Sequence, residues 1–343
     1  MKALGALGLV SGVALLTVLV THLGMGAILQ TLETLGWPGF TWIVLFHVGL
    51  IALMGTAWFV LARGRADAVW GRFAWGRLVR DSAAEALPLS QIGGYVLGAR
   101  AAVVAGVEGV FVASSTVVDV TVELVAQLGY ILLGLFLLWR IRPGNDLIWP
   151  ILFGIGLLGA LAFLFIAVQV RGASFVDRAL AQISRHLLNS PPSRDGVLRD
   201  AIHGMHRRPG VLWLAGLVHL LSWVLSGVET WMMLRLIGIR LGLAAGLVID
   251  SLLYGVRSFA FMIPNAIGVQ EAALLLLGAL FGLGAEQAVA LSLVRRGRDL
   301  AIGVPALLAW QVLEGRRAWR GLARFDPAAA AEPVPGRVKS GGA

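Results

Sequence analysis

Residues 293–303 read L-V-R-R-G-R-D-L-A-I-G, with apolar sequence on both sides. Arg295, Arg296, Arg298 and Asp299 therefore stand where hydrocarbon is expected. A second charged pair, Asp119 and Glu123, stands in V-A-S-S-T-V-V-D-V-T-V-E-L-V. An ionised side chain at the centre of a bilayer costs roughly 2.5–3.5 kcal/mol even on mild scales, so such groups pair with one another or line a wet cavity. On a helix, 119 and 123 share a face at i,i+4, and 295 and 298 share one at i,i+3. Burying an ion pair adds little net stability. These charges therefore point to the lining or gate of a polar pathway, with Asp119 and Glu123 facing Arg295 and Arg298. The bland alternative makes R-R-G-R-D a short loop between two helices, turning at Gly297.

Further groups stand at apparent membrane depth. Glu271 follows Pro264 and Gly268 in I-P-N-A-I-G-V-Q-E, which would open a half-helix with Glu271 in its first turn. The helix dipole favours a carboxylate there. Glu271 reads either as a cap or as a polar contact at the tip of a re-entrant helix. Arg100 follows Pro88, Gly93 and Gly94, and either receives a lipid phosphate or snorkels to the interface. Glu229, Asp250 and Arg257 are also deep, and Asp250 and Arg257 could neutralise each other. Phosphate loops, nucleophile–base pairs and zinc-ligand clusters are missing from the sequence. No metal and no cofactor are expected, and nothing suggests an enzyme.

The elements that must position these residues follow from composition. Of 343 residues, 58% are hydrophobic and 14% charged. Soluble domains carry about 25% charged residues, so the chain reads as an all-α, polytopic integral membrane protein. About 20 apolar residues make one crossing. Six full spans are expected, near 4–22, 37–61, 111–139, 147–170, 211–236 and 285–314. Two Pro/Gly-broken segments, 83–106 and 241–282, read as re-entrant, because irregular backbone at membrane depth survives only inside protein or beside a cavity. The net charge of +9 fits arginine-rich loops at an anionic membrane surface better than nucleic acid. Arginines concentrate in 63–82, in 171–210 and after 314, which puts both termini in the cytoplasm. Segment 66–80 reads either as an interfacial helix or as a solvated loop. Cysteine is absent, which excludes disulfides.

A shift of 176 positions aligns the chain with itself. Trp37 meets Trp213, Pro88 meets Pro264 and Gly106 meets Gly282. Asp119 then meets Arg295, and Glu123 meets Asp299. The organisation expected is an anchor helix at 1–36, a first repeat at 37–140, a spanning helix and basic loop at 141–212, a second repeat at 213–316, and a basic, largely disordered tail at 317–343. Three crossings separate the matching spans, so the repeats would be inverted, an architecture that places transporter sites near the midplane.

The run from Ile263 to Leu300 resembles the C-terminal signature of the lysylphosphatidylglycerol synthase transmembrane-region family, carried by Pro264, Gly268, Glu271, Gly282, Gly284, Ala288, Ala290 and Arg295. The stretch L-P-L-S-Q-I-G-G-Y-V-L-G-A-R resembles its first-half motif, with Tyr95 where an acidic residue is common. The resemblance covers residues 5–320. It implies a flippase-like protein that handles membrane lipids. In overall look the chain is similar to the hopanoid-biosynthesis-associated group, which implies movement of hopanoids toward the outer membrane. The expected partners are lipids, hopanoid or phospholipid, and lipid-biosynthesis enzymes. The alternatives are the membrane module of a lipid-modifying enzyme of the aminoacyl-phosphatidylglycerol type and a scaffold for a lipid-synthesis complex.

Overall fold

The computed structural model describes residues 25–86, 90–142, 197–260 and 266–323, with scattered helical positions between 149 and 163. The described residues form helices α1 (Met25–Leu61), α2 (Trp70–Ala86), α3 (Ser90–Val104), α4 (Gly109–Ile141), α5 (Val197–His206), α6 (Pro209–Leu236), α7 (Leu243–Phe259), α8 (Val269–Ala279) and α9 (Ala285–Ala323). No strand occurs among them. Three stretches are long and apolar enough to cross a bilayer: Glu33–Leu61, Gly109–Ile141 and Pro209–Leu236. The chain is an all-α membrane protein. The expected span at 4–22 lies outside the described residues, as does most of the one at 147–170.

The helices decide two alternatives that the sequence left open and move one boundary. R-R-G-R-D lies inside α9, which runs through it to Ala323, so the alternative of a short loop turning at Gly297 is excluded. Segment 66–80 is neither an interfacial helix nor a solvated loop. It starts α2, a packed helix whose Arg77 and Arg80 are buried. The segment 83–106, expected to be re-entrant, takes in the end of α2 and all of α3, so the hairpin that these two helices form starts earlier than that segment, at Trp70.

That hairpin folds back tightly. Gly94 packs against Ala84, and Gly98 against Gly76, so α2 and α3 run antiparallel. Its two ends meet on one side. Arg65 donates to Asp67 at 2.8 Å and to Glu108 at 3.3 Å, and the Glu108 backbone N–H donates to Asp67 at 3.1 Å. The hydrogen bond from Arg65 holds the Asp67 carboxyl below its ordinary range, so this latch stays charged until pH falls through that lowered value. The chain thus goes in and returns on the same side, as a re-entrant hairpin does. Helices α7 and α8 repeat the arrangement. Their flanks, Ile237, Ile239 and Leu241 on one side and Leu280, Phe281 and Leu283 on the other, share one apolar cluster. An 11-residue helix such as α8 is too short to cross ~30 Å of hydrocarbon.

The two halves match at the 176-residue offset. Gly109 begins α4 and Ala285 begins α9. Each helix follows a glycine with positive φ, Gly106 at 100° and Gly282 at 79°, a conformation that only glycine enters without strain. Helices α1 and α6, which correspond, lie antiparallel. Gly39 lies beside Leu236, His47 bonds Glu229, and Arg208 donates to the Arg63 carbonyl. Equivalent contacts recur elsewhere: Gln127 donates to Ser258, and their counterparts Gly303 and Ser82 touch. Antiparallel equivalent helices require a two-fold axis across the helix direction, which lies in the membrane plane when those helices span it. Trp37 and Trp213, 82% and 74% exposed, then mark opposite faces of the bilayer, where indole rings settle.

The hairpin crossing gives a direct test. A Cβ on Gly98 would sit 2.7 Å from the Gly76 carbonyl oxygen, whereas one on Gly49 meets nothing within 4 Å. Gly98→Ala should therefore lower stability by about 1–3 kcal/mol, read as a drop in the thermal midpoint of the purified protein, while Gly49→Ala leaves the midpoint unchanged or slightly raised.

Candidate functional site

A cavity of about 430 Å³ opens between the halves. It straddles the two-fold axis, because its wall contains both members of five equivalent pairs: His47 and Trp223, Leu50 and Ser226, Asp81 and Arg257, Ala84 and Ala260, Glu123 and Asp299. Ala84 and Glu85 precede the turn of the first hairpin, and Ala260 and Ala266 flank the turn of the second. The residues of both turns, with Pro88 and Pro264, lie outside the described residues. Gly93 and Gly94 belong to α3, and Gly268 caps α8 at φ 84°.

One wall carries a dense charge network. Arg77 on α2 donates to Asp81 at 2.8 Å and to Glu123 at 2.7 Å. Arg80 donates to Asp119 at 2.9 Å and also pairs with Glu123. His219 of α6 meets Asp119 at 3.0 Å. Arg80 lies over the Tyr95 ring, 4.3 Å from its centroid, a cation–π contact. Asp119, Glu123 and His219 are close enough together to suggest metal ligands. Two guanidiniums already occupy the carboxylates, so these residues balance arginine charge instead.

The opposite wall carries a second network. Arg298 on α9 donates to Glu229 and to Asp299, both at 2.7 Å. His47 on α1 meets both oxygens of Glu229, at 3.0 and 3.1 Å. A bridge joins the hairpins, with Arg257 of α7 donating to Glu85 of α2 at 2.7 Å.

The partners differ from the sequence reading. Asp119 and Glu123 pair with Arg77 and Arg80 of their own half. Arg295 donates instead to Asp250 at 2.8 Å and to Thr230 at 2.6 Å, behind the cavity wall. Asp250 is thereby satisfied by Arg295, not Arg257. Of the five charges assigned to a gate, Glu123, Arg298 and Asp299 line the cavity, while Asp119 and Arg295 stand behind it. Glu271 is fully buried. It accepts from the Gly268 N–H at 2.7 Å and from Ser292 at 2.6 Å, and pairs with Arg296 at 2.8 Å. It caps α8 and ties it to α9, away from any mouth. Arg100 is tied to Glu314 at 2.6 Å. The arginines that sequence reasoning missed are Arg77 and Arg80, whereas Arg257 was placed at depth and given the wrong partner. Their signal was Arg77, Arg80 and Asp81 at helical spacing beside small residues in G-R-L-V-R-D-S-A-A-E.

Among the described residues the arrangement consists of charges and hydrogen-bonding groups around a space inside an apolar protein. Each member depends on its partners. Removing one side of a buried pair costs about 3–5 kcal/mol. Asp250→Asn and Arg295→Met should each destabilise by that order, and the double variant by clearly less than the sum, since it strands no charge. Thermal unfolding of the four proteins of the cycle measures this.

A family model described as Lysylphosphatidylglycerol synthase TM region matches residues 5–306. No curated protein matches the chain, and no solved structure does. The match spans both hairpins, both cavity walls and most of α9. The chain belongs to the lysylphosphatidylglycerol synthase TM-region family.

Proposed function

We propose that the protein moves an amphiphilic lipid between leaflets, sheltering its polar head in the central cavity while the apolar body stays in the bilayer. It acts as a transporter without catalysing a chemical change. The observation that carries this reading is the cavity itself, which sits on the two-fold axis between two oppositely inserted hairpins. Inverted repeats permit two quasi-equivalent states, one open to each side. Arg257–Glu85 bridges the hairpins and would have to part between those states.

The lining is mixed in charge, so it suits a head group with donors and acceptors rather than a bare anion. A hopanoid with a polar side chain, as the resemblance implies, meets that requirement, and so does a phospholipid. The orientation follows from arginine placement. Arg63, Arg65, Arg207 and Arg208 gather on one side, where Arg208 donates to the Arg63 carbonyl at 2.9 Å. Inversion brings the C-terminal end of α9, with Arg316, to the same side. The positive-inside rule makes that side cytoplasmic, in the inner membrane of a bacterium.

Two measurements test the proposal. Lipids of separated inner and outer membranes are compared in cells with and without the protein. A lipid class depleted from the outer membrane but made in normal amount is expected, and would name the substrate. A missing or chemically altered lipid with normal distribution would favour the module of a lipid-modifying enzyme instead. Arg257→Gln should reduce the lipid redistribution severalfold while the protein remains in the membrane at wild-type level.

A further inference from the structure

Four buried or half-buried ion pairs balance one guanidinium against one carboxylate: Arg257 with Glu85, Arg295 with Asp250, Arg296 with Glu271 and Arg100 with Glu314. Two clusters do not. Arg77 and Arg80 face Asp81, Asp119 and Glu123. Arg298 faces Glu229 and Asp299. Each of these clusters holds one carboxylate too many, and each holds a histidine bonded to one of its carboxylates. An uncompensated charge in a low-dielectric interior is costly. A proton on the histidine would bring either cluster to neutrality.

The two histidines differ in access. His219 is fully buried, and its Nδ1 has no hydrogen-bond partner, so it is sealed from the cavity. His47 lines the cavity, with 18% of its side chain exposed. Its Nδ1 faces the Glu229 carboxylate, which also accepts from Arg298 at 2.7 Å, so Nδ1–H donates and Nε2 is left as the basic nitrogen. Glu229 belongs to α6 and His47 to α1, so the bond joins the antiparallel core helices of the two halves. The charged groups facing His47 across the cavity are Arg77, Arg80, Asp81 and Glu85 of α2, Glu123 of α4, Arg257 of α7, and Arg298 and Asp299 of α9.

We propose that His47 and Glu229 form a proton-binding site in the cavity wall, and that proton occupancy there is coupled to the movement of one half against the other. A proton passes from cavity water to Nε2 of His47, and the resulting imidazolium–carboxylate pair strengthens the tie between α1 and α6. Its loss leaves the Arg298 cluster with net negative charge and weakens that tie. This rests on the lipid-translocation reading for its purpose but not for its chemistry.

Proton uptake by the full-length purified protein, stepped from pH 8 to pH 5, tests the site without any lipid substrate. Wild type should take up about one proton more per chain than His47→Gln, since histidine is the side chain that ordinarily changes charge in this range. The difference should vanish when both proteins also carry Glu229→Gln. No difference in the first comparison, or one that survives in the second, overturns the site. Coupling is read in vesicles of phosphatidylethanolamine and phosphatidylglycerol containing acyl-labelled phosphatidylglycerol as probe. An imposed pH gradient should change the rate of probe movement severalfold for wild type and leave His47→Gln unaffected. Movement that ignores the gradient overturns the coupling. If the probe does not move at all, the translocation reading fails for that lipid, and the proton count still decides for or against the site.

Discussion

A charge inside hydrocarbon must find its opposite, and this requirement organises the molecule. The residues that hold the helices together at depth are guanidinium–carboxylate pairs. Arg77 and Arg80 fix α2 against α4 through Asp119 and Glu123. Arg295 and Arg298 fix α9 against α7 and α6 through Asp250 and Glu229. Arg296 fixes α9 against α8 through Glu271. Between membrane helices there is little hydrophobic drive, because lipid tails are as apolar as leucine. Close packing and polar contacts must supply the attraction instead. Small residues bring backbones together, as where Gly98 meets Gly76, and the ion pairs then select which faces meet.

A second constraint, helix length, shapes the hairpins. Helices as short as α8 cannot cross the bilayer, so each hairpin returns to the side it entered from and its flanks close together there. In the first half the latch of Arg65, Asp67 and Glu108 closes the base. In the second, an apolar cluster does so. The halves reach one architecture with different chemistry. Arg77 corresponds to Leu253 and Asp119 to Arg295, so even the sign of charge is exchanged between equivalent positions. What the repeat preserves is the helix order, the glycine before the long helix and the site of crossing.

Much of the fold was legible in the sequence. Long apolar runs identified α1, α4 and α6, and the Gly106–Gly282 correspondence placed the starts of α4 and α9 at the offset of the repeat. Element boundaries between 62 and 106 were not legible, because the five arginines in 63–82 resembled a cytoplasmic loop under the positive-inside rule. That rule counts charge without knowing depth. Arg77 and Arg80 are deep because carboxylates await them on α4, a fact of tertiary structure. The site was legible in part. Glu123, Arg298 and Asp299 were singled out by depth alone, but their partners were not, since i,i+3 and i,i+4 spacing fixes a helix face and leaves the facing helix open. Correspondence across the axis suggested that Asp119 would meet Arg295. Equivalent positions instead take different partners: Asp119 accepts from Arg80 of its own half and meets His219 of the other, while Arg295 pairs with Asp250 of its own half.

A scaffold would place its ion pairs where water never reaches, as Arg295 and Asp250 are placed. Around the cavity the pairs are different. Arg257 and Glu85 are partly exposed and join parts of opposite halves, and His47 joins the two core helices through a carboxylate that it shares with Arg298. A buried salt bridge gives little stability over an apolar contact of the same shape, so stability alone does not account for charges at this boundary. Exchange of partners does. A guanidinium that leaves one carboxylate inside a wet cavity meets a head-group oxygen or another carboxylate at small net cost, whereas parted apolar surfaces regain nothing. On the lipid-translocation proposal, the wet pairs across the two-fold boundary, Arg257–Glu85 and His47–Glu229, are the ones that would part and re-form, whereas His219–Asp119 and Tyr130–Asp250 cross it fully buried.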